Sequence, residues 1–290
     1  MVVSDIHSNQ EALEEVLKDA NFYGRFTDKI CAGDIIGYGP NPNEVITILQ
    51  EQGFISIIGN HDQAILTGDY TLFNHNAERS ARYNDSILTA ESRAYLRSLQ
   101  FTPYIDPSNA FALVHASFNA VVSNGSGLTK VSRVIPKRYY ETYLLSEDSI
   151  VDAINSLDFE EATTIRQIPL GIFGHTHVPT FAQKYILPLN KEIIIDAGFI
   201  FDSREITFNS SQKGIVFQNS QLVPKALFNP GSVGQPRHGK PNACYGIIEI
   251  DGDTIQLHYM QVEYNVAETQ RRMQKAEFPL SLIQRLEYGV

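Results

Sequence analysis

The first third of this 290-residue chain alternates three times between a short, β-branched apolar run and a pattern with helical spacing. Polar residues follow each apolar run directly, as residues 59–62 follow residues 54–58. Repeated strand–helix units form parallel sheets, whose carboxyl strand ends meet at the edge where ligands bind. The alternation therefore predicts an α/β fold with a polar site at that edge. Residues 59–62 also fit an ordinary turn followed by a helix cap.

Histidines and carboxylates are concentrated at these predicted strand ends. Five of the eight histidines lie there, together with two aspartates and one asparagine. Imidazole, carboxylate and amide oxygen, with no thiolate, form a ligand set for one or two divalent ions such as Mn, Fe, Co, Ni or Zn. The alternative for any single histidine is a buried or turn residue without a ligand. The residues concerned are Asp5, His7, Asp34, Asn60, His61, His115, His175 and His177.

Two of the motifs place ligand types at alternate positions, namely Asp5-x-His7 and His175-x-His177. Alternate side chains of an extended segment point to the same side. We therefore expect both members of each pair to reach a single ion. The run before the first motif, residues 1–3, is shorter than the usual strand of about 5–6 residues. We expect that a few residues precede it in the native protein or that its start codon is placed late.

The second half of the chain has a different pattern. From about residue 180, alternating β segments replace the strand–helix units, and we interpret residues 180–226 as a β-rich insertion that could cap the cleft, bind a partner or contact another copy. Residues 118–147 predict a loop or small cap, and residues 266–288 a C-terminal helical tail broken near Pro279. No repeat or linker is evident, so we expect a single domain over residues 1–290.

The charge balance limits the partners of the chain. With 23 basic and 33 acidic residues the formal net charge is −10, which argues against a stable nucleic-acid complex. No apolar run is long enough to span a membrane, and no signal pattern begins the chain. Cys31 and Cys244 are far apart, as is usual for reduced thiols. These features predict a cytoplasmic protein that does not bind membranes.

The order of the motifs resembles the calcineurin-like metallophosphoesterase superfamily. Residues 37–42 and 229–237 further resemble its small prokaryotic phosphodiesterase-like branch. The resemblance implies a four-layer α/β/β/α sandwich of the metallophosphoesterase type, with two divalent metal ions (Mn, Fe, Zn, Ni or Co) between the sheets. The motifs that carry it are Asp5-x-His7, Gly33-Asp34, Gly59-Asn60-His61-Asp62, His115-Ala116 and Gly174-His175-Thr176-His177.

The resemblance also implies a division of the metal ligands between the two ions. Asp34 would bridge the ions, because two ions about 3.5–4 Å apart share a carboxylate. One ion would be held by Asp5, His7 and His177. The other would be held by Asn60, His115 and His175.

The resemblance implies that His61 is catalytic and faces the substrate. Asp62, which we also place in the catalytic group, would lie behind His61 and keep its imidazole charged and oriented. We take Asn9, Arg237 and His238 as candidate substrate-binding residues. For the turn after Arg237, a solvated basic loop is the alternative.

The implied activity is hydrolysis of a small phosphodiester or phosphomonoester by a metal-bridging hydroxide, with a diester favoured. A phosphoprotein phosphatase of the same fold is the alternative, although Ser4, Ser8 and Asp62 depart from the motifs of that branch. A nuclease is disfavoured by the negative charge, and a non-catalytic binding or scaffold protein stays open. We expect a small phosphorylated substrate as partner, with a homo-oligomer as a further possibility.

Overall fold

The computed structural model describes residues 1–100, 104–108, 110–116, 170–186, 193–199, 204–209, 225–252 and 254–290. The loop or cap expected over residues 118–147 lies outside this part. The described strands are β1 (Val2–Val3), β2 (Ile30–Cys31), β3 (Ile55–Ser56), β4 (Tyr104–Ile105), β5 (Phe111–Leu113), β6 (Leu170–Ile172), β7 (Thr180–Ile186), β8 (Ile193–Phe199), β9 (Arg204–Asn209), β10 (Lys225–Asn229), β11 (Ala243–Asp251) and β12 (Thr254–Val262).

Side-chain caps begin several of the described helices. Asn9 caps the first helix by accepting from Ala12 N, and Thr89 caps another by accepting from Ser92 N. A short 3₁₀ turn, Asn21–Tyr23, follows the first helix. The helices are α1 (Gln10–Ala20), α2 (Pro42–Glu51), α3 (Asn60–Thr67), α4 (His75–Ile87), α5 (Ala90–Ser98), α6 (Val266–Lys275) and α7 (Leu280–Arg285).

The strands form two six-stranded sheets. The first has the order β3-β2-β1-β11-β12-β9, and the second β4-β5-β6-β10-β7-β8. In the first sheet β1, β2 and β3 are parallel, and in the second β5, β6 and β10 are parallel. The carboxyl ends of these parallel strands carry the predicted polar motifs, as expected for strand–helix units.

The layers are held together by two apolar clusters. One joins α1 and α2 to the first sheet and includes Leu13, Val16 and Leu49, all fully buried. The other lies between the sheets, where Leu257 of the first sheet packs in the same cluster as Phe228 of the second. The two sheets flanked by helices confirm the predicted α/β sandwich.

The β-rich segment over residues 180–226 is part of both sheets in its described residues. β7 pairs with β10 and β8 pairs with β7, so this end of the segment extends the second sheet. β9 pairs with β12 and forms an edge of the first sheet. The segment therefore widens the sandwich.

Two further expectations concern the surroundings of the fold. Cys31 and Cys244 are both free and buried, in agreement with the expected core thiols. Among the described helices, none has the length and apolar composition needed to cross a membrane.

Candidate metal centre

The backbone leaves the strands abruptly at the predicted ligands. Five of the seven predicted metal ligands have a positive φ, a conformation that is rare outside glycine and concentrated at functional sites. We expected these segments to be extended, and that expectation is wrong. The residues are Asp5 (φ 52°), His7 (φ 48°), Asp34 (φ 50°), His175 (φ 67°) and His177 (φ 61°).

The first cluster of possible ligands contains Asp5, His7, Asp34 and His177. All four are buried, and one ligand atom from each lies within 4.8 Å of the others. The Nε2 atom of His177 is 3.4 Å from Asp5 Oδ1, and that of His7 is 3.8 Å from Asp34 Oδ2. The side chains of Asp5 and His7 thus reach one place, as predicted, but through left-handed turns.

The proton positions of His7 and His177 show why a cation fits this cluster. His7 Nδ1 lies 3.2 Å from the carbonyl oxygen of Ile36, and His177 Nδ1 lies 2.7 Å from that of Gln235. Because a carbonyl oxygen only accepts, each Nδ1 carries the proton and each Nε2 keeps a lone pair. Burial lowers the pKa of both rings well below its usual value, which disfavours a second proton.

The two Nε2 atoms nevertheless face each other at a distance of 3.0 Å. Two lone pairs at this distance repel each other unless a positive charge is shared between them. Burial also raises the pKa of the neighbouring Asp5 carboxyl to about 7, so burial disfavours both the negative form of Asp5 and the positive forms of His7 and His177. A divalent ion bound by nitrogen and oxygen would relieve both penalties.

The second cluster contains Asp34, His115 and His175, all buried and again with ligand atoms within 4.8 Å of one another. Asn60 lies between the two histidines, with its Oδ1 3.0 Å from His115 Nε2 and 2.9 Å from His175 Nδ1. His115 Nε2 is also 3.3 Å from Asp34 Oδ2. Asp34 therefore belongs to both clusters, in the position of the predicted bridge.

His115 has a different proton balance from His7. Its Nδ1 donates to the carbonyl oxygen of Ala32 at 2.7 Å, which directs Nε2 towards Asp34 and Asn60. Burial alone would lower the pKa of His115, but the charge and hydrogen bond of Asp34 outweigh it and raise the pKa to about 9. A proton and a metal ion are thus alternative positive charges at this position.

His175 and His177 fall into different clusters. We expected from their alternation that both could reach a single ion, and this is wrong: His177 groups with Asp5, His7 and Asp34, whereas His175 groups with Asp34 and His115. The division implied by the family resemblance has the same grouping as the structure. All seven predicted ligands are brought together, and their binding of metal stays a prediction.

His61 lies in the wall beside the first cluster. Its ring centroid is 4.9 Å from that of His7, 4.5 Å from Tyr38 and 4.4 Å from Phe73. Its Nδ1 is buried and has no hydrogen-bond partner among the described residues. Gly37, at φ 96°, is required here because a Cβ would meet this Nδ1 at 2.5 Å.

Asp62 does not support His61 as we predicted. Its carboxylate accepts from the backbone N–H groups of Ile35 (3.2 Å), Ile36 (2.9 Å) and Gly59 (2.9 Å). Gly59 caps α3, which the sequence reading treated as an alternative to a functional site; the structure contains both. Asp62 is therefore a positioning residue that ties the Asp34 loop to the start of α3.

Two of the three candidate substrate-binding residues face the protein interior. Asn9 is 1% exposed; its Nδ2 donates to Gly234 O, and its Oδ1 accepts from Ala12 N and Thr269 Oγ1. It therefore has no free group for a substrate. His238 is 6% exposed and lies 3.7 Å from Cys244 Sγ. The assignment of Asn9 is wrong because its side chain is used in the helix cap and in hydrogen bonds within the protein. Substrate binding by His238 stays a prediction.

Arg237 lies beside the first cluster of possible ligands, and its binding of substrate stays a prediction. Its backbone N–H donates to His177 O at 3.3 Å, and its Nη2 donates to Gln235 Oε1 at 3.1 Å. After burial, its positive charge is the largest cause that lowers the pKa of His177. Arg237 is therefore close to the metal centre.

Three supporting residues were missed by sequence reasoning. Ser4 Oγ donates to Asp5 Oδ2 at 2.6 Å. Asn84 of α4 accepts from Ser8 Oγ (2.8 Å) and Gly37 N (2.6 Å), which joins two loops of the site. Tyr38 covers His7, with ring centroids 4.8 Å apart. The only sequence signal for Asn84 was a polar residue on the face of α4 that is buried. Such residues are too common to indicate a site.

Comparisons with known proteins agree with this geometry. A sequence profile of the calcineurin-like phosphoesterase family matches residues 1–179. The crystal structure of a metallophosphoesterase from Sphaerobacter thermophilus is similar with a TM-score of 0.69 and 31% identity, over 100% of this chain and 98% of that chain. Because the match covers the whole of this chain, the similarity includes the second half of the molecule.

Two sequence relatives complete the comparison. An uncharacterized protein of Methanocaldococcus jannaschii is 29% identical over 99% of this chain and 97% of its own length. A symmetrical bis(5'-nucleosyl)-tetraphosphatase of Vibrio cholerae is 26% identical over 41% of this chain and 44% of its own length. With the family profile spanning more than half of the sequence, the chain belongs to the calcineurin-like phosphoesterase family.

Proposed function

We propose that this protein is a dinuclear metal-dependent phosphoesterase that hydrolyses a small phosphodiester or phosphomonoester, with a diester favoured. One observation carries the proposal. The Nε2 atoms of His7 and His177, each with a lone pair, lie 3.0 Å apart beside the Asp5 carboxylate. This buried arrangement is suited to a cation, and the family is one of phosphoesterases.

The chain supplies ligands for two ions. Asp5, His7 and His177 would hold one, Asn60, His115 and His175 the other, and Asp34 both. When bound, two divalent ions would polarise a phosphoryl group and lower the pKa of a water to near neutrality. The carbonyl oxygens of Ile36 and Gln235 would fix the ring orientation of their histidines. Mn is one of several ions that fit this ligand set.

The other side chains would bind and orient the phosphoryl group. His61 is next in sequence to the ligand Asn60, and its buried Nδ1, which lies against Gly37, has no hydrogen-bond partner among the described residues. We propose that its imidazole contacts the substrate and passes a proton to the leaving oxygen. Arg237 would add a guanidinium that binds phosphate oxygens.

The Vibrio cholerae relative is by name a symmetrical bis(5'-nucleosyl)-tetraphosphatase, so a dinucleoside polyphosphate is one substrate to test. The match covers less than half of either chain and does not define the substrate here. A small phosphorylated molecule as partner, a cytoplasmic location, the absence of a stable nucleic-acid or membrane complex and a homo-oligomer stay proposals.

The test is hydrolysis of bis(p-nitrophenyl) phosphate beside p-nitrophenyl phosphate. The protein is first stripped with a chelator and then assayed with added Mn, Ni, Zn or no metal. We expect metal-dependent cleavage that is faster for the diester and falls at least about 10²-fold in His61→Ala. His75→Ala, an exposed histidine on α4, is the matched control and should keep full activity.

Each other outcome points to a different function. Faster cleavage of the monoester would favour a phosphatase, including one for phosphoproteins. No turnover with any ion, although metals bind, would favour a non-catalytic binding protein. Equal turnover with and without metal would contradict the proposal altogether.

A further inference from the structure

A cavity of about 240 Å³, which we call the α3 cavity, lies between α3 and the loop that follows this helix. Four residues of α3 line one side of it, namely Asn60, Gln63, Ala64 and Thr67. Their spacing of three and four positions places them on one face of the helix. From Asn60 to Thr67 this face is about 10 Å long, given the rise per residue of an α-helix. The α3 cavity is therefore long enough for a small organic group.

The loop after α3 forms the opposite side of the cavity. Gly68, at φ 73°, ends α3 in a left-handed turn that reverses the chain. Asp69 Oδ1 then accepts from the N (3.1 Å) and the Oγ1 (2.8 Å) of Thr71, so hydrogen bonds within the loop fix its shape. The loop residues that line the cavity are Asp69, Thr71, Leu72 and Phe73.

The inner end of the α3 cavity is a wall of the metal centre. Asn60 lines the cavity and also places its Oδ1 3.0 Å from His115 Nε2 in the second cluster. Phe73 lines the cavity and packs on the ring of His61, with centroids 4.4 Å apart. Asn60 is 8% exposed, whereas Leu72 is 50% exposed. The cavity is therefore open to solvent on the loop side and ends at a predicted metal ligand.

The lining favours an uncharged ligand with hydroxyl groups. None of the described residues that line the cavity is basic, and Asp69 adds a negative charge that repels a further phosphate. Hydrogen bonds from the backbone and side chain of Thr71 hold the pKa of Asp69 below its usual value, so this carboxylate is ionised at neutral pH. Thr71 uses Oδ1, and Oδ2 can accept from a hydroxyl group of a ligand. Ala64, Leu72 and Phe73 offer apolar contact to its carbon atoms.

We infer that the α3 cavity binds the alcohol that leaves the phosphorus atom, and that this alcohol is uncharged and carries hydroxyl groups, as a sugar does. This inference rests on the proposed phosphoesterase function. It adds to that function a binding site and a residue that determines specificity, Asp69. In the reaction the oxygen of a water molecule forms a bond to phosphorus, and the bond from phosphorus to the alcohol oxygen breaks. The proton that the water loses balances the proton that the alcohol gains.

The position of His61 favours the leaving alcohol over the other substituent of the phosphorus atom. His61 is the proposed proton donor to the leaving oxygen, and the ring that packs on it, Phe73, lines the cavity. Asn60, on the other side of the inner end, belongs to the second cluster. An alcohol in the cavity would therefore have its bond to phosphorus between a metal ligand and the proton donor.

The test measures the binding of three phosphonates, whose carbon–phosphorus bond is not hydrolysed. The first is methylphosphonate, which has no group for the cavity. The second is hexylphosphonate, and the third is the isostere of ribose 5-phosphate in which a methylene group replaces the ester oxygen. The last two have carbon chains of equal length and differ in their hydroxyl groups. Dissociation constants are measured by calorimetry on the metal-loaded protein, in parallel with its metal content.

We expect wild type to bind the ribose isostere about tenfold or more tightly than methylphosphonate, with hexylphosphonate between them. Asp69→Asn keeps an oxygen for Thr71 but replaces the second acceptor by an N–H₂ group. It should weaken binding of the ribose isostere about tenfold and leave the other two ligands unchanged. Ala64→Leu, which fills part of the cavity, should weaken the two longer ligands and leave methylphosphonate unchanged.

Asp251→Asn is the control, because Asp251 is an exposed aspartate that does not line the cavity; it should bind all three ligands as wild type does. The inference is overturned if Asp69→Asn weakens all three ligands alike or none of them, or if Ala64→Leu does not affect the ribose isostere. Hydrolysis of bis(p-nitrophenyl) phosphate by the wild-type protein separates the two proposals. Turnover without these selective effects would refute the role of the α3 cavity alone, and no turnover would refute the proposed function.

Discussion

Two regions build opposite sides of the site by different means. We call residues 4–9, 33–41, 59–62, 115–116 and 174–177 the strand-end loops, and residues 237–240 and 285–289 the C-terminal rim. The strand-end loops hold their ligands through left-handed backbone turns and buried hydrogen bonds, such as His61 N to Asp34 Oδ1 at 2.8 Å. The C-terminal rim is held mainly by apolar packing of α7 around Tyr38.

The difference suggests that the strand-end loops determine metal binding, whereas the C-terminal rim affects selectivity or stability. Ligand geometry follows mainly from the backbone directly after strands of two or three residues. The rim adds one backbone hydrogen bond to a ligand residue, from Arg237 N to His177 O. The rim contacts the ligands through its backbone and through Tyr38, so we expect its exposed side chains to vary with little effect on the ligands. Substitutions in the strand-end loops should therefore change metal binding, whereas substitutions in the rim should change selectivity or stability.

The largest effect is expected for Asp34→Asn. Asp34 belongs to both clusters, and its Oδ2 lies near His7 and His115. We expect loss of metal from both and a fall in turnover on the order of 10³-fold or more. The metal content of the variant is measured by mass spectrometry. Asp251→Asn, which changes an exposed aspartate, is the control and should keep its metal. An Asp34→Asn protein that keeps two ions would refute the bridge.

The next effect separates chemistry from metal binding. His61 contacts His7 and Phe73 by its ring but belongs to neither ligand cluster. His61→Ala should keep its metal content and lose about 10²–10⁴-fold in turnover. Parallel metal analysis and kinetics on one preparation test this, and loss of metal would place His61 among the ligands instead.

Asp62→Asn should weaken metal binding less than Asp34→Asn does, but more than His61→Ala does. An asparagine presents one N–H₂ group where three backbone N–H groups now meet a carboxylate. We expect the free energy of unfolding to fall by about 1–3 kcal/mol and metal affinity to fall about 10–100-fold. Denaturant titration and metal titration of the same variant measure both. If metal affinity is unchanged, Asp62 does not position the Asp34 loop.

The smallest effect concerns the rim. Burial lowers the pKa of His238 to about 4, below the value of about 6.5 for an unfolded histidine. Between these values the unfolded chain binds more protons, so His238 reduces stability as the pH falls from 6.5 towards 4. From pH 7 to pH 5 the loss should be about 2 kcal/mol smaller in His238→Gln than in wild type.

Urea titrations of both proteins at the two pH values give this difference directly. Comparing the change within each protein cancels the titration of the histidines that both share. An identical pH dependence in the two proteins would mean that His238 is not buried as the structure has it. The metal content should be the same in both, in keeping with the separation of rim and loops.

The sequence predicts best what local interactions determine. The break of the C-terminal helical tail near Pro279 is set by the proline itself, and it occurs in the structure. The strand ends with their polar residues follow from the same local pattern. The split of His175 and His177 between clusters does not, because it depends on ligands from other strand ends that are distant in sequence, such as His7 for His177 and His115 for His175.

Long-range contacts explain the remaining differences. Asp62 binds N–H groups 26 and 27 positions away in sequence, and Asn9 Nδ2 binds an oxygen 225 positions away. Neither partner is visible in the local sequence pattern. The sequence analysis therefore gave Asp62 a catalytic role and Asn9 a substrate-binding role. The packing of α7 against Tyr38 was missed for the same reason, since only the folded chain brings the two together.

The central claim is that two buried clusters sharing Asp34 bind one divalent ion each. The most direct measurement is calorimetric titration of the metal-free protein with Mn, checked by metal analysis after removal of excess ion. We predict two ions per chain in wild type and a loss of occupancy in His7→Ala that leaves one ion. Binding of no ion, or of a single ion that His7→Ala does not affect, would contradict the account.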